Sequence, residues 1–217
     1  MIYDFMLLLQ NPHTRDQARR RWGLFTILTA LGWMAAGLTG LPVGRVVLVE
    51  GSAQVIVEVA LSMSLLGILT GGLAGIGQWL FLRRRFAGGD WWLPASALAW
   101  GLGLPAALIA NLLAGLGLSV ALYGLVIGAS SALLQWLCCR RIITKPGRWL
   151  WANLLALPLG VAGAGWMDQA LLVATGGRWG LARWETALSA GLAGLIVGLL
   201  TGVALVEMTF NLQDQAE

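Results

Sequence analysis

Long apolar stretches broken by short blocks of arginine set the pattern of this chain. Trp22 to Gly44 carries no charged side chain, and neither does Val59 to Leu82. A membrane span needs about 20 apolar residues, because each adds about 1.5 Å and the hydrocarbon core is about 30 Å thick. These two segments are predicted as helices 1 and 2. From Trp91 to Cys139 there is again no charge. One helix of that length would run to roughly 70 Å, over twice the core, so the run must fold back. Asn111 to Ser119, with Gly115 and Gly117, is the predicted turn between helices 3 and 4. Trp149 to Val173 and Thr186 to Phe210 are predicted as helices 5 and 6. The expected class is all-α: a polytopic membrane bundle of six transmembrane helices, arranged as three tandem helical hairpins. The hairpins occupy 22–82, 91–139 and 149–210 of a single domain, 22–210. Residues 1–21 precede it as an interfacial segment and 211–217 follow as a short tail.

Charge gives the orientation. With six spans, both termini lie on one side, and that side collects Arg15, Arg19, Arg20, Arg21, Arg83, Arg84, Arg85, Arg140, Arg141, Lys145 and Arg148. The other side keeps Arg45, Arg178 and Arg183. Lysine and arginine accumulate on the cytoplasmic side of membrane proteins. Both termini are therefore expected in the cytoplasm. At the start of the chain the positive residues follow the apolar ones, the reverse of a cleavable signal. Ile2, Phe5, Met6, Leu8 and Leu9 suit an interfacial position. Thr14, with Gln17 three residues on, is a candidate capping box opening a helix that runs into the first span.

Composition agrees with the class. The 217 residues are 58% hydrophobic and 11% charged, against about 25% charged in a soluble domain. Thirty glycines and twelve tryptophans fit membrane helices and bilayer interfaces. The net charge of +4 sits in topology-setting blocks, which removes nucleic acid as an expected partner and leaves the lipid bilayer.

The pattern also repeats. A shift of 57 places carries Gln78 onto Gln135, Gly67 and Gly71 onto Gly124 and Gly128, and Arg83-Arg84 onto Arg140-Arg141. Further along it carries Trp92 onto Trp149, Ala95 onto Ala152, Leu98 onto Leu155 and Gly103 onto Gly160. Helix 6 joins with Gly198 and Gly202 laid on Gly67 and Gly71, and Phe210 on Trp79. In helix 1, Thr29 to Trp33 (TALGW) matches Ser96 to Trp100 (SALAW). Such repeats imply duplication and pseudo-symmetric packing. The Gly-rich helix ending in Q-W-L-x-L-R-R, followed by a Trp-Trp pair, resembles a group of uncharacterised multi-pass bacterial membrane proteins found in phototrophic lineages among others. The resemblance covers helices 2 to 4 best and implies architecture without an activity. The second copy departs from the motif with Cys138-Cys139 where the first has Phe81-Leu82. Mitochondrial carriers also have three two-helix repeats, but their P-x-[DE]-x-x-[KR] signature is absent.

Several residues are candidates for more than bulk. Gly67, Gly71, Gly75, Gly124, Gly128, Gly194, Gly198 and Gly202 form G-x-x-x-G pairs, which let helix backbones approach closely. They serve packing within the chain or docking of another subunit. Gln78 and Gln135 need hydrogen-bond partners at membrane depth. Thr29, Ser96 and Asn153 share a repeat position and are expected to converge as a polar layer. Trp79 and Trp136 are expected anchors at the arginine-bearing interface. Trp166, Trp179 and Trp184, with Arg178 and Arg183, mark the opposite interface as an anchor or a contact platform. Glu207, aligned with Ile76, is the acid expected deepest in the membrane, and an intramembrane acid is a functional candidate by default.

These readings weigh against catalysis. There is no H-E-x-x-H, G-x-S-x-G or phosphate loop. The single histidine, His13, lies outside the spans, which argues against histidine-ligated haem or chlorophyll, and no cofactor or metal is expected. Cys138 and Cys139 are read as reduced apolar fillers. The expected function is that of a non-catalytic integral membrane protein, a structural or accessory subunit packing in a larger membrane complex or homo-oligomer. The alternative is a small secondary transporter or channel using Glu207, with Pro94, Pro105 and Pro158 available to kink helices 3 and 5.

Overall fold

The computed structural model describes residues 12–38, 53–84, 88–114, 120–140, 143, 145–177 and 183–213. Side chains are described for all of these except 12–14, 53–56, 114, 120, 146, 183 and 207–213. Six helices follow one another: α1 Pro12–Gly37, α2 Ala53–Leu82, α3 Trp92–Ala114, α4 Val120–Cys138, α5 Pro146–Ala174 and α6 Arg183–Gln213. A single 3₁₀ turn, Gly89–Trp91, leads into α3. No strand occurs among the described residues.

Among the described residues five helical segments are long and apolar enough to cross a membrane: Val57–Leu82, Gly89–Leu113, Ala121–Cys138, Gly147–Ala174 and Trp184–Val206. The first helix is not among them, because it opens among arginines and turns apolar only at Trp22. The protein is thus an all-α, polytopic membrane helix bundle.

Helix ends follow local chemistry. Pro12 opens α1, where a missing N–H costs nothing because the first amides of a helix have no partner within it. The helix therefore starts ahead of Thr14, and the expected capping box is not its beginning. The apolar residues expected to lie flat between Ile2 and Leu9 fall outside the described residues. Pro146 likewise opens α5. That helix stops at Gly176 and Gly177, with φ of 61° and 86°, angles that only glycine adopts without strain. Gly177 N–H donates to Leu172 O at 2.8 Å, satisfying one of the last carbonyls. Of the predicted turn Asn111 to Ser119, residues 111–114 are the last of α3 and 115–119 lie outside the described residues.

Each helix packs on its neighbours in sequence, and α6 packs on α1, so the six close into a ring. Close backbone approaches lie inside the expected hairpins, as where Gly77 of α2 meets Leu28 O of α1, and they also join each even helix to the odd helix that follows it: α2 to α3, α4 to α5, and α6 back to α1. A Cβ on Gly71 would lie 2.6 Å from Ser96 O, and one on Gly128 would lie 2.8 Å from Asn153 O. A Cβ on Gly198 would lie 2.8 Å from Thr26 Cα and 3.1 Å from Thr29 Cβ. One turn along, Gly67 abuts Trp100 O, Gly124 abuts Pro158 Cα and Gly194 abuts Trp33 Cβ.

These contacts correct the register expected for the last helix. Gly194, not Gly198, occupies the place of Gly67 and Gly124, and Gly198 that of Gly71 and Gly128. The physical reason is that Trp33 and Thr29, the counterparts of Trp100 and Ser96, meet α6 one turn earlier than the sequence match implied. In this register Leu205 stands where α2 and α4 carry Gln78 and Gln135.

Candidate functional site: an axial polar layer

Two large apolar clusters fill the ring, and a small third one, Ala18 with Val206, joins α1 to α6. One of the large two, toward the arginine-bearing end, holds Phe25, Phe81, Trp92, Trp149 and Leu205. The other holds Trp33, Trp100, Tyr123, Leu157 and Val197. Tryptophans of the odd helices meet edge to face inside the ring. Trp33 of α1 stands 5.1 Å from Trp100 of α3, and Trp92 of α3 stands 5.3 Å from Trp149 of α5. Phe25 and Phe81 form a third pair at 5.5 Å. Each such pair adds about 0.5–1.5 kcal/mol beyond the area it buries.

A polar layer lies among these aromatics. Gln78, Ser96, Ser131, Gln135 and Asn153 are all buried. With Trp33, Trp100, Trp149, Leu157, Val197 and the small residues Gly71, Ala74 and Gly75, they line one cavity to which every helix contributes. About 20 Å³ of it is open to the centre of a water-sized sphere, room for about one water. Trp92 Nε1 donates to Gln78 Oε1 at 3.0 Å, linking α3 to α2. Gln135 Nε2 donates to Ser96 Oγ at 3.1 Å, linking α4 to α3. Asn153 turns its amide back onto Trp149 O of its own helix at 3.0 Å. Three atoms of the lining residues have no protein partner: Gln135 Oε1, Ser131 Oγ and Trp149 Nε1.

The layer brings together part of what the sequence suggested. Gln78 and Gln135 bond to neighbouring helices, as their depth requires. Ser96 and Asn153 line the cavity. Thr29 is also buried, but it donates to Phe25 O at 2.8 Å and is not among the lining residues. The eight packing glycines lie outside any exposed face, because the surface each presents is covered by a helix of the same chain. The second reading of those glycines, a docking face for another subunit, is corrected on this point. Trp92, Trp149 and Ser131 were not singled out as site residues. The signal that could have found the two tryptophans is the shift of 57 places, which carries the pair Gln78/Trp92 onto Gln135/Trp149, whereas it lays Ser131 on Ala74.

The remaining candidates sit at the ends. Trp79 is half-buried, and the Arg83 guanidinium stacks 4.3 Å from its ring centroid, a cation–π contact that holds the helix end beside its charge. Trp136 is half-buried, and Trp184 is 56% exposed. Trp166, Trp151 and Trp91 are exposed as well, leaving tryptophans on the wall near both ends, where the bilayer interface favours them. Trp179 lies outside the described residues, as does the side chain of Glu207. At the opposite end of the ring, where α6 begins, Ser189 Oγ donates to Asp168 Oδ1 and Thr186 Oγ1 donates to Gly37 O at 2.9 Å. These bonds tie α6 to α5 and to α1. Among the described residues no three His, Cys, Asp or Glu side chains gather to hold a metal ion.

No protein-family model, curated protein or solved structure matches the chain. The fold and the site define a class of protein, a multi-helix membrane bundle with a polar, nearly filled axis.

Proposed function

We propose that this protein is a non-catalytic integral membrane protein, a structural or accessory subunit that packs in a larger membrane complex or with copies of itself. The observation that carries the reading is the inward use of its chemistry. Polar side chains and glycines are spent on the axis and on the helix junctions, and tryptophan pairs pack edge to face inside the ring. What the wall presents is apolar side chains and tryptophan, so a role is left to that wall.

The same proposal includes six spans with α1 as the first, both termini in the cytoplasm and residence in a bacterial inner membrane. It rests on the bias of 11 among the 14 Lys and Arg residues toward one side. It also includes an origin by internal duplication and kinship with the multi-pass proteins that share Q-W-L-x-L-R-R. Like contacts at Gly71/Ser96, Gly128/Asn153 and Gly198/Thr29 support the duplication.

The experiment is native mass spectrometry of the tagged protein extracted from its own cells in the mildest workable detergent. A stoichiometric companion or a defined homo-oligomer is expected. A lone monomer across several mild detergents would overturn the proposal.

One observation favours a second reading, a small transporter or channel: the axial cavity has a mixed polar lining. Against the part assigned to Glu207, the corrected register pairs that position with Leu80 and Leu137, which are exposed on the wall rather than on the axis. A flux assay in liposomes decides this, since loss of flux in Glu207→Gln would restore the transport reading.

A further inference from the structure

Two of the even-odd junctions carry the same pair of residues, a glutamine near the end of the even helix and a tryptophan at the start of the odd one. In the α2/α3 junction the pair is closed, with Trp92 Nε1 donating directly to Gln78 Oε1 at 3.0 Å. In the α4/α5 junction it is open. Gln135 has turned its Nε2 to Ser96 Oγ, and both Gln135 Oε1 and Trp149 Nε1 lack a protein partner. These groups are deeply buried: Trp149 is 1% exposed, Ser131 2% and Gln135 5%. All three residues line the axial cavity. A donor and an acceptor left unsatisfied together in a low-dielectric interior destabilise it, and the cost is removed by any molecule that accepts from one and donates to the other.

We propose that the axial cavity is a binding site for one water molecule, which accepts from Trp149 Nε1 and donates to Gln135 Oε1 and Ser131 Oγ, replacing in the α4/α5 junction the direct bond of α2/α3. The size of the space selects the ligand. About 20 Å³ open to a sphere centre holds one water, and a buried water makes about three hydrogen bonds. Nothing charged is called for, since no lining residue bears a charge. The indole N–H only donates and the amide oxygen only accepts, so the site needs a neutral molecule with both capacities. The Ser131 hydroxyl adjusts to either role. The third junction shows why one water suffices. There Leu205 takes the glutamine place and Phe25 the tryptophan place, both fully buried, so that junction needs no polar bridge.

The test is nuclear magnetic resonance of the full chain in nanodiscs with labelled tryptophan indoles, assigned through Trp149→Phe and Trp92→Phe. The Trp149 indole proton is expected to show cross-relaxation to a long-lived water, and the Trp92 indole proton is not. Gln135→Leu is expected to abolish that signal and move the Trp149 indole proton upfield. Should Gln135→Leu fail to fold, Ser131→Ala serves, with a smaller shift at the same proton. A Trp149 indole proton without a water contact, or one in contact with acyl chains, overturns the proposal. So does a water signal that neither variant perturbs.

Discussion

At the scale of single residues, burial and pairing decide what each polar group contributes. Trp92→Phe leaves Gln78 Oε1 buried without its donor, and an orphaned buried acceptor costs about 1–3 kcal/mol. Thr29→Val should cost well under that, because Thr29 bonds only to Phe25 O of its own helix, a carbonyl the helix already serves. Reversible unfolding in mixed micelles, with both variants compared with wild type, measures the difference. The two cysteines separate in the same way. Cys139 is buried, and burial, reinforced by the neighbouring Cys138, pushes its thiol up to about 12. It stays protonated throughout the physiological range, and the thiolate is the reactive form. At pH 7.5 a maleimide should therefore add once to the folded protein, at exposed Cys138, and a second time only after denaturation, which intact-mass analysis reads directly. Sequence marked Gln78 and Gln135 because an amide is conspicuous in an apolar run. It missed Ser131, Trp149 and the Trp33/Trp100 pair, because helices apolar on every side carry no periodicity that separates axis from wall.

At the scale of the helix, glycine sets how closely two backbones meet. A Cβ on Gly77 would collide with Leu28 O, a backbone atom that can move only if α1 and α2 part. A Cβ on Gly72 meets nothing nearer than Ala97 Cβ at 3.9 Å. Gly77→Ala is thus expected to lower stability by about 1–3 kcal/mol, the usual cost of overpacking. Gly72→Ala should be neutral or slightly stabilising, because alanine is the better helix former. Thermal unfolding in one detergent compares the two, and equal melting temperatures would contradict the assigned contacts. The helices themselves were legible, since a charge-free run of the right length has few other uses. Their limits were less so: α1 starts at Pro12 and α2 at Ala53, because a helix need not end where the apolar layer does. The register of α6 slipped for a definite reason. Gly194, Gly198 and Gly202 recur every four residues, so a slide of one turn still superposes two glycines.

At the scale of the whole molecule, closure of the ring is the property that no pattern along the chain announced, since it joins the first described helix to the last. It makes a direct prediction. A Cβ on Gly37 would sit 2.8 Å from Ala190 Cβ but also 2.7 Å from Ala187 Cα and Thr186 O, so a cysteine there makes α1 and α6 part by about 1 Å, which also brings the two Cβ atoms near the ~3.8 Å of a disulfide. A Gly37→Cys/Ala190→Cys chain, with Cys138 and Cys139 replaced by serine, should oxidise within the monomer and migrate faster on a denaturing gel. Dimers instead would mean that α1 and α6 meet between chains. Closure also bears on how the protein is made. A chain enters the membrane in order, so α1 arrives while its partner α6 is still unsynthesised. Until then the Thr26, Thr29 and Trp33 surface of α1 has no α6 to cover it. The long-range contact is made last, which is the slow kind of step in folding. Ribosome stalling or truncation before α6 would strand the whole bundle as an open arc with its polar layer exposed to hydrocarbon, a natural mark for membrane quality control.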